Sequence, residues 1–310
     1  MLMRITLAVL SAWLAACSPV ELLNKASSNS HYERITNVAY GADERQVLDI
    51  YRAVMPLPSR PLVVFFYGGG WRKGDKEHYE FVASALTQSG ITVVIPDYRL
   101  WPDVTFPAFV EDAAAAVSWT ARNSDTIGAS ADAIFLMGHS AGAHIASLVA
   151  LDSSYLAANS GTDISIRAWI GLSGPYDFLP IGESYLEDVF PEPNRERSQP
   201  VNFVTPGAPP ALLIHGTGDS TVRIENSRSL LDRLRDEGVS ARLQTYDGVG
   251  HVRVVVALAP PLEFLANTLQ DSRDFIVELL DAGTALQRAV VKHEQSPHRS
   301  ATPVGIEEHD

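Results

Sequence analysis

Gly138-His139-Ser140-Ala141-Gly142 is the stretch on which the reading of this chain turns. It follows Ala133-Ile134-Phe135-Leu136-Met137, a short apolar run that reads as a buried strand. It leads into Ala143-His144-Ile145-Ala146-Ser147-Leu148-Val149-Ala150, which reads as a helix. Strand, G-x-S-x-G and helix in that order are the setting of a nucleophile elbow. Glycines flank the serine because the turn is sharp, and a Cβ at either place would strike the neighbouring strand or helix. The hydroxyl is then held at the top of the sheet, near the positive end of a helix. Read alone, Ser140 fits equally well as the N-cap of that helix. Three further segments separate the two readings.

Upstream, the buried strand Pro61-Leu62-Val63-Val64-Phe65-Phe66-Tyr67 runs into Gly68-Gly69-Gly70-Trp71. Three consecutive glycines carry a cost in backbone entropy, so something must approach the main chain closely. There Gly68 and Gly69 can aim amides at a developing oxyanion, joined by the amide of Ala141. Such donors are each worth roughly 3–4 kcal/mol of barrier. Downstream, the strand Pro210-Ala211-Leu212-Leu213-Ile214-His215 ends in a polar loop with Asp219 just past its C-terminal end, where open α/β sheets place functional groups. A further strand, Arg242-Leu243-Gln244-Thr245-Tyr246-Asp247, is followed by Gly248-Val249-Gly250-His251. The chain order Ser140, Asp219, His251 is that of α/β-hydrolases and not of the chymotrypsin or subtilisin folds.

The expected chemistry follows from the residue types. His251 takes the Ser140 proton during attack and returns it to the leaving group. Asp219 holds the imidazole tautomer and stabilises the imidazolium. This scheme requires no metal and no organic cofactor. Competing residues have plainer readings: His139 packs beside the elbow, His144 supports it one helical turn on, His215 is structural and His78 lies on the surface. Asp177, after the strand Ala168-Trp169-Ile170-Gly171-Leu172, is the alternative acid; Asp247 is too near His251 in sequence and shapes the loop instead.

With these motifs in place, the chain over roughly residues 32–285 resembles the α/β-hydrolase superfamily. Within it, the likeness is to the small carboxylesterases related to hormone-sensitive lipase, kynurenine formamidase and prenylcysteine methylesterase. The resemblance rests on Gly68-Gly69-Gly70-Trp71, Pro96-Asp97-Tyr98-Arg99-Leu100, Gly138-His139-Ser140-Ala141-Gly142-Ala143-His144, His215-Gly216-Thr217-Gly218-Asp219 and Gly250-His251. It implies a mostly parallel central sheet with helices on both faces and a small-molecule ester as substrate. An arylformamidase acting on amides of the N-formylkynurenine type is the alternative. The family's glycine loop usually begins with His, and here that residue is Tyr67, which must brace the loop by its hydroxyl or by packing. That departure is the only support for a third reading, a non-catalytic surface-tethered binding protein on a hydrolase scaffold. Asp97-Tyr98-Arg99 resembles a segment that supports the oxyanion loop.

Composition bounds the rest. The 310 residues suit one large domain. A net charge of −13, from 37 acidic and 24 basic side chains, argues against nucleic acid as a partner. Met1-Leu2-Met3-Arg4 and the apolar stretch to Leu14 read as residues 1–16 of a secretory signal, too short to span a bilayer. Leu14-Ala15-Ala16-Cys17 resembles a bacterial lipobox, so Cys17, the only cysteine, is expected to carry lipid and anchor the protein to a membrane of the cell envelope. Residues 17–31 then form a tether.

Edge strands are predicted at Thr36–Tyr40 and Gln46–Tyr51. Core strands follow near 61–67, 91–96, 133–137, 168–172, 210–215 and 241–246. Helices separate them near 76–89, 107–123, 140–152 and 223–237, with a last helix over 267–285. The proline- and aromatic-rich stretch 174–208 reads as a cap inserted between two strands. Leu258–Phe264 is expected to form another pocket wall. Residues 286–310 form a polar tail, read as disordered.

Overall fold

The computed structural model describes residues 19–27, 29–159 and 164–294. Eight strands form one sheet: β1 (Tyr32–Ala39), β2 (Val47–Ala53), β3 (Leu62–Phe66), β4 (Thr92–Pro96), β5 (Ile134–His139), β6 (Ile166–Leu172), β7 (Ala211–Gly216) and β8 (Ala241–Tyr246). Their spatial order is β1-β2-β4-β3-β5-β6-β7-β8. The β1–β2 and β2–β4 pairs are antiparallel, as expected of the edge, and all others are parallel. Every residue of β3, β4, β5 and β7 is buried, which is why these strands read as unbroken apolar runs.

The helices are α1 (Pro19–Ala26), α2 (Glu80–Gln88), α3 (Ala108–Arg122), α4 (Ala141–Leu151), α5 (Ser153–Asn159), α6 (Ser184–Val189), α7 (Glu225–Asp236), α8 (His251–Val256) and α9 (Thr268–Glu294). Helices α2 and α9 touch each other on one side of the sheet, while α3 and α4 pack together and α4 lies along β3, β5 and β6. The predicted helix at 76–89 is broken: Lys76–Tyr79 is a 3-10 turn, capped by the Asp75 carboxylate on Glu77 N.

The two ends of the domain differ from their expectation. The stretch read as a tether contains α1, and Asn24 fastens it to the body. Its side-chain N–H donates to Glu77 O at 2.7 Å, and its Oδ1 accepts from Phe81 N at 3.1 Å. Asn and Ser favour solvated chain by composition, but these bonds and the packing of Leu23 against the core outweigh that. The last helix also continues past residue 285 to Glu294. Cys17, the signal segment 1–16 and residues 295–310 lie outside the described residues. No helix among the described residues is long and apolar enough to cross a membrane.

The strand order reverses between β3 and β5: the chain leaves β3 toward β4 on one side and returns to β5 on the other. A crevice opens at such a switch point, beyond the carboxyl ends of the strands. Phe66 and Gly138 are register partners across it, so the residues that follow them, Gly68 and Ser140, are brought together at one end of the sheet. An open cleft lined by Leu151, Asp152, Phe203 and Ala208 lies at the other end of α4, about 15 Å away.

Candidate active site

Ser140 has φ 55 and ψ −122, a conformation that a non-glycine residue rarely adopts. Its N–H donates to Leu172 O at 2.9 Å, and its carbonyl accepts from Ala143 N and His144 N, starting α4. The Ala141 N–H lies in the first turn of that helix, where backbone amides have no partner within the helix. The flanking glycines are required by the packing. A Cβ on Gly138 would sit 2.2 Å from Gly142 O, and one on Gly142 would sit 2.0 Å from Phe66 O. The loop after β3 is equally close: a Cβ on Gly68 would sit 3.0 Å from the Ser140 Cβ and 2.9 Å from His139 Nδ1.

His251 opens α8, and its Nδ1–H donates to Asp219 Oδ2 at 2.7 Å. The Asp219 side chain has no exposed surface. Its Oδ1 accepts from Thr221 N and Val222 N, both at 2.9 Å. Burial pushes this carboxyl up, but hydrogen bonds from His215 and His251 and from Val222 N outweigh it and hold it well below the usual carboxylate range. Asp219 is therefore an anion wherever the protein is folded near neutral pH.

The competing residues fall where their plainer readings placed them. His215 is buried, with Nδ1 2.8 Å from Ser227 Oγ and Nε2 2.9 Å from Val222 O, and it braces the Asp219 loop. His144 donates from Nε2 to Ser198 O at 2.7 Å. Asp177 accepts from Ser229 Oγ and Asp247 from Thr217 Oγ1; neither is the hydrogen-bond partner of His251. His139 donates from Nε2 to the His251 carbonyl at 3.2 Å. Phe264, in the expected pocket wall, is 80% exposed.

Tyr67 braces the glycine loop by both routes open to it. Its hydroxyl donates to Asp97 Oδ1 at 2.7 Å and accepts from Arg45 Nη2 at 2.8 Å. Its ring stacks between Tyr98, at 4.7 Å, and Tyr79, at 5.6 Å. Tyr98 in turn donates to Tyr67 O at 2.7 Å, and Arg99 forms a bidentate pair with Asp112. Burial pushes the Tyr79 phenol up. Arg45 and Tyr79 are the members of this set that sequence reasoning missed. Both are ordinary surface-type residues in their own segments and acquire a role only through contacts made across the fold.

Trp71 ends the glycine loop with φ 58. It is buried against His144, Phe178 and Phe190, with ring centroids at 5.1, 6.2 and 4.8 Å. Phe178 and Phe190 come from the 174–208 segment, which is fastened to the body by Phe106 N on Val189 O and by Asn226 Oδ1 on Tyr176 N and Asp177 N. Tyr185 of the same segment places its ring 4.2 Å under the Arg72 guanidinium, and its hydroxyl 3.1 Å from where a Cβ on Gly70 would be.

A mostly parallel sheet with a strained serine at its switch point, and an acid and a histidine after β7 and β8, defines an α/β-hydrolase fold. Solved structures agree. Inhibited Esterase B from Lactobacillus rhamnosis superposes with a TM-score of 0.73 over 91% of this chain and 99% of that one, at 22% identity. The apo form of Thermogutta terrifontis esterase 2 gives 0.68 over 81% and 96%, at 23% identity. The BD-FAE family model matches residues 48–234, and the chain belongs to that family.

Among curated relatives, Esterase LipC of Mycobacterium tuberculosis is 32% identical over 231 residues, which are 68% of this chain and 57% of that protein. Isoprenylcysteine alpha-carbonyl methylesterase ICME of Arabidopsis thaliana is 31% identical over 273 residues, 79% of this chain and 60% of that protein. The chain thus spans about three-fifths of the length of the curated relatives it matches.

Proposed function

We propose that this chain is a carboxylic ester hydrolase that works through an acyl-enzyme on Ser140. The observation that carries the reading is the 2.7 Å bond between buried, ionised Asp219 and His251 Nδ1, on the same end of the sheet as a serine in an elbow conformation. With Nδ1 protonated and committed to Asp219, His251 Nε2 is the basic nitrogen. It takes the Ser140 Oγ proton as the oxygen attacks the ester carbonyl. The resulting oxyanion is met by the Ala141 amide at the start of α4 and by the glycine loop. Gly68 and Gly69 are the donors of that loop, beside Ala141. Collapse of the intermediate expels the alkoxide, which takes the proton from His251. Water then repeats the sequence and releases the acid.

The names of the esterase relatives support an ester as the substrate, and the 174–208 segment supplies Phe178 and Tyr185 as its contacts beside the glycine loop. The segment's several hydrogen bonds to the body argue for a fixed wall rather than a swinging lid. The test compares the wild type with Ser140→Ala on p-nitrophenyl acetate, butyrate and octanoate, with N-formylkynurenine alongside. Ester turnover lost in the variant is the expected result, and the chain-length trend sizes the pocket. Preference for the formamide moves the assignment to an arylformamidase. Full activity in Ser140→Ala removes the proposal.

We further propose that Cys17 is the lipid-bearing residue of an envelope-anchored protein, on the Leu14-Ala15-Ala16-Cys17 motif. Metabolic labelling with an alkynyl fatty acid should mark the wild type and not Cys17→Ser. Equal labelling of both would remove this assignment.

A further inference from the structure

His139 occupies the variable position of the elbow, and nothing in the triad chemistry requires a histidine there. Its surroundings are nevertheless specific. The ring is buried at the end of β5, between the glycine loop and the base. On one side Nε2 lies 3.2 Å from the His251 carbonyl oxygen. A carbonyl only accepts, so Nε2 carries the proton and the neutral ring leaves Nδ1 bare. On the other side Nδ1 is buried without a hydrogen-bond partner among the described residues, 2.9 Å from where a Cβ on Gly68 would be. The ring face itself meets His251, with centroids 4.8 Å apart and planes tilted by 43°. One side chain therefore touches the oxyanion loop, follows directly into the nucleophile and holds the backbone of the base.

We infer that His139 is a positioning residue for His251: its Nε2–H and ring fix the imidazole at the angle from which Nε2 reaches Ser140. This rests on the triad reading above. His251 is held at Nδ1 by Asp219, but that single bond leaves the ring free to swing about it and leaves the start of α8 to be placed by other contacts. The His139 bond to the His251 carbonyl fixes that backbone directly, and the ring contact removes the swing. The groups facing His251 are Asp219 from the loop after β7, His139 from β5, and His215 behind Asp219, with Nε2 3.4 Å from Asp219 Oδ2. Arg253, the charged residue on the same helix, is exposed. Burial lowers the His139 ring to about 3, so it stays neutral while His251 charges during turnover. A neutral π face beside a transient imidazolium is attractive, whereas a second cation there would be repulsive.

The experiment measures kcat and KM on a short-chain p-nitrophenyl ester for wild type, His139→Leu, His139→Gln and Ser140→Ala. It also follows the downfield proton resonance of the Asp219–His251 hydrogen bond. Misplacing a catalytic group by about 1 Å costs on the order of 10²-fold in rate. In His139→Leu, kcat should fall roughly ten- to a hundredfold with KM nearly unchanged, as for an interaction needed in the transition state. The downfield resonance should broaden or shift. His139→Gln keeps an N–H donor and should recover most of kcat together with the resonance. If the leucine variant does not fold, His139→Phe, which keeps the ring and loses the donor, takes its place. A folded donor-less variant with wild-type kcat overturns the inference. So does a loss of kcat with the resonance unmoved, which would place the defect elsewhere. An active Ser140→Ala overturns the underlying triad reading instead, whatever the His139 variants do.

Discussion

The Tyr67 hydroxyl donates to Asp97 Oδ1 at 2.7 Å, and this bond ties the strand that ends in the glycine loop to the loop after β4. Asp97 also accepts from Lys76 N at 2.9 Å, so one buried carboxylate collects two segments that border the site. Burial pushes that carboxyl up, and the Tyr67 hydrogen bond is the strongest force opposing it. Removing the hydroxyl leaves Asp97 and Arg45 each short of a partner. Tyr67→Phe should therefore lose about 1–3 kcal/mol of stability, read from denaturant unfolding. Its kcat should drop while KM holds, because stacking on Tyr98 and Tyr79 keeps the ring in place as the loop amides lose their alignment. A fully stable Tyr67→Phe would mean that the stack alone braces the loop.

The elbow glycines make a sharper demand. A Cβ on Gly142 would lie 2.0 Å from Phe66 O and 2.4 Å from Tyr67 O, so β3 and α4 must part to admit it. Gly142→Ala should cost about 3 kcal/mol or more and abolish turnover, since the movement separates the glycine loop from Ser140. Gly182 and Gly207 lie in the 174–208 segment with nothing within 4 Å of an added Cβ. Alanine there should change stability by no more than about 0.5 kcal/mol. Thermal melts of the three variants test the contrast directly.

The sharp turn at Ser140, the positions of Asp219 and His251 after β7 and β8 and the alternation of strands and helices were legible because each is a local pattern with one dominant cause. Apolar runs at β3, β4, β5 and β7 report burial on both faces, and G-x-S-x-G reports a turn that no larger residue permits. The brace around Tyr67 was only half legible. The departure from the usual histidine marked the position, but the partners Arg45 and Tyr79 lie 22 and 12 positions away in the chain and meet it only across the fold. The same holds for His139, whose bond to the His251 carbonyl spans 112 positions. Helix α1 escaped for a different reason. Its composition favours solvated chain, and its placement rests on contacts made across the fold by Asn24 and Leu23.

In the proposed mechanism Asp219 fixes the tautomer of His251, and its replacement by the isosteric amide separates charge from shape. In Asp219→Asn the amide N–H faces His251 Nδ1, so the ring is driven to protonate Nε2 and presents Ser140 with a donor instead of a base. Rates should fall by roughly 10⁴-fold at neutral pH, as for the same exchange in other serine triads. Part of the loss should return as pH rises, since hydroxide can remove the serine proton without the base. A pH–rate profile of the variant checks this. Wild-type activity in Asp219→Asn would point to another acid, and Asp177→Asn is the matching control.

Acid should weaken the fold before it protonates the Asp219 carboxylate. Burial lowers His139 to about 3 and His144 to about 4. In the unfolded chain both rings titrate near 6.5, roughly the value of a free histidine. As pH falls below that point the unfolded state takes up protons and the folded state does not, so stability declines. The decline runs from about 6.5 down to about 4 for His144 and about 3 for His139, at up to roughly 1.4 kcal/mol per pH unit for each ring. Asp219 adds to it only at lower pH. Its carboxyl is held down in the folded state, so its contribution is complete above about 4 and is lost as pH falls further. Thermal midpoints should be flat above pH 7 and slope downward through 6 and 5. His144→Leu should flatten that slope by one ring's share while losing the bond to Ser198. A midpoint that rose on acidification to pH 5 would show the two rings to be charged in the folded protein, contrary to their burial.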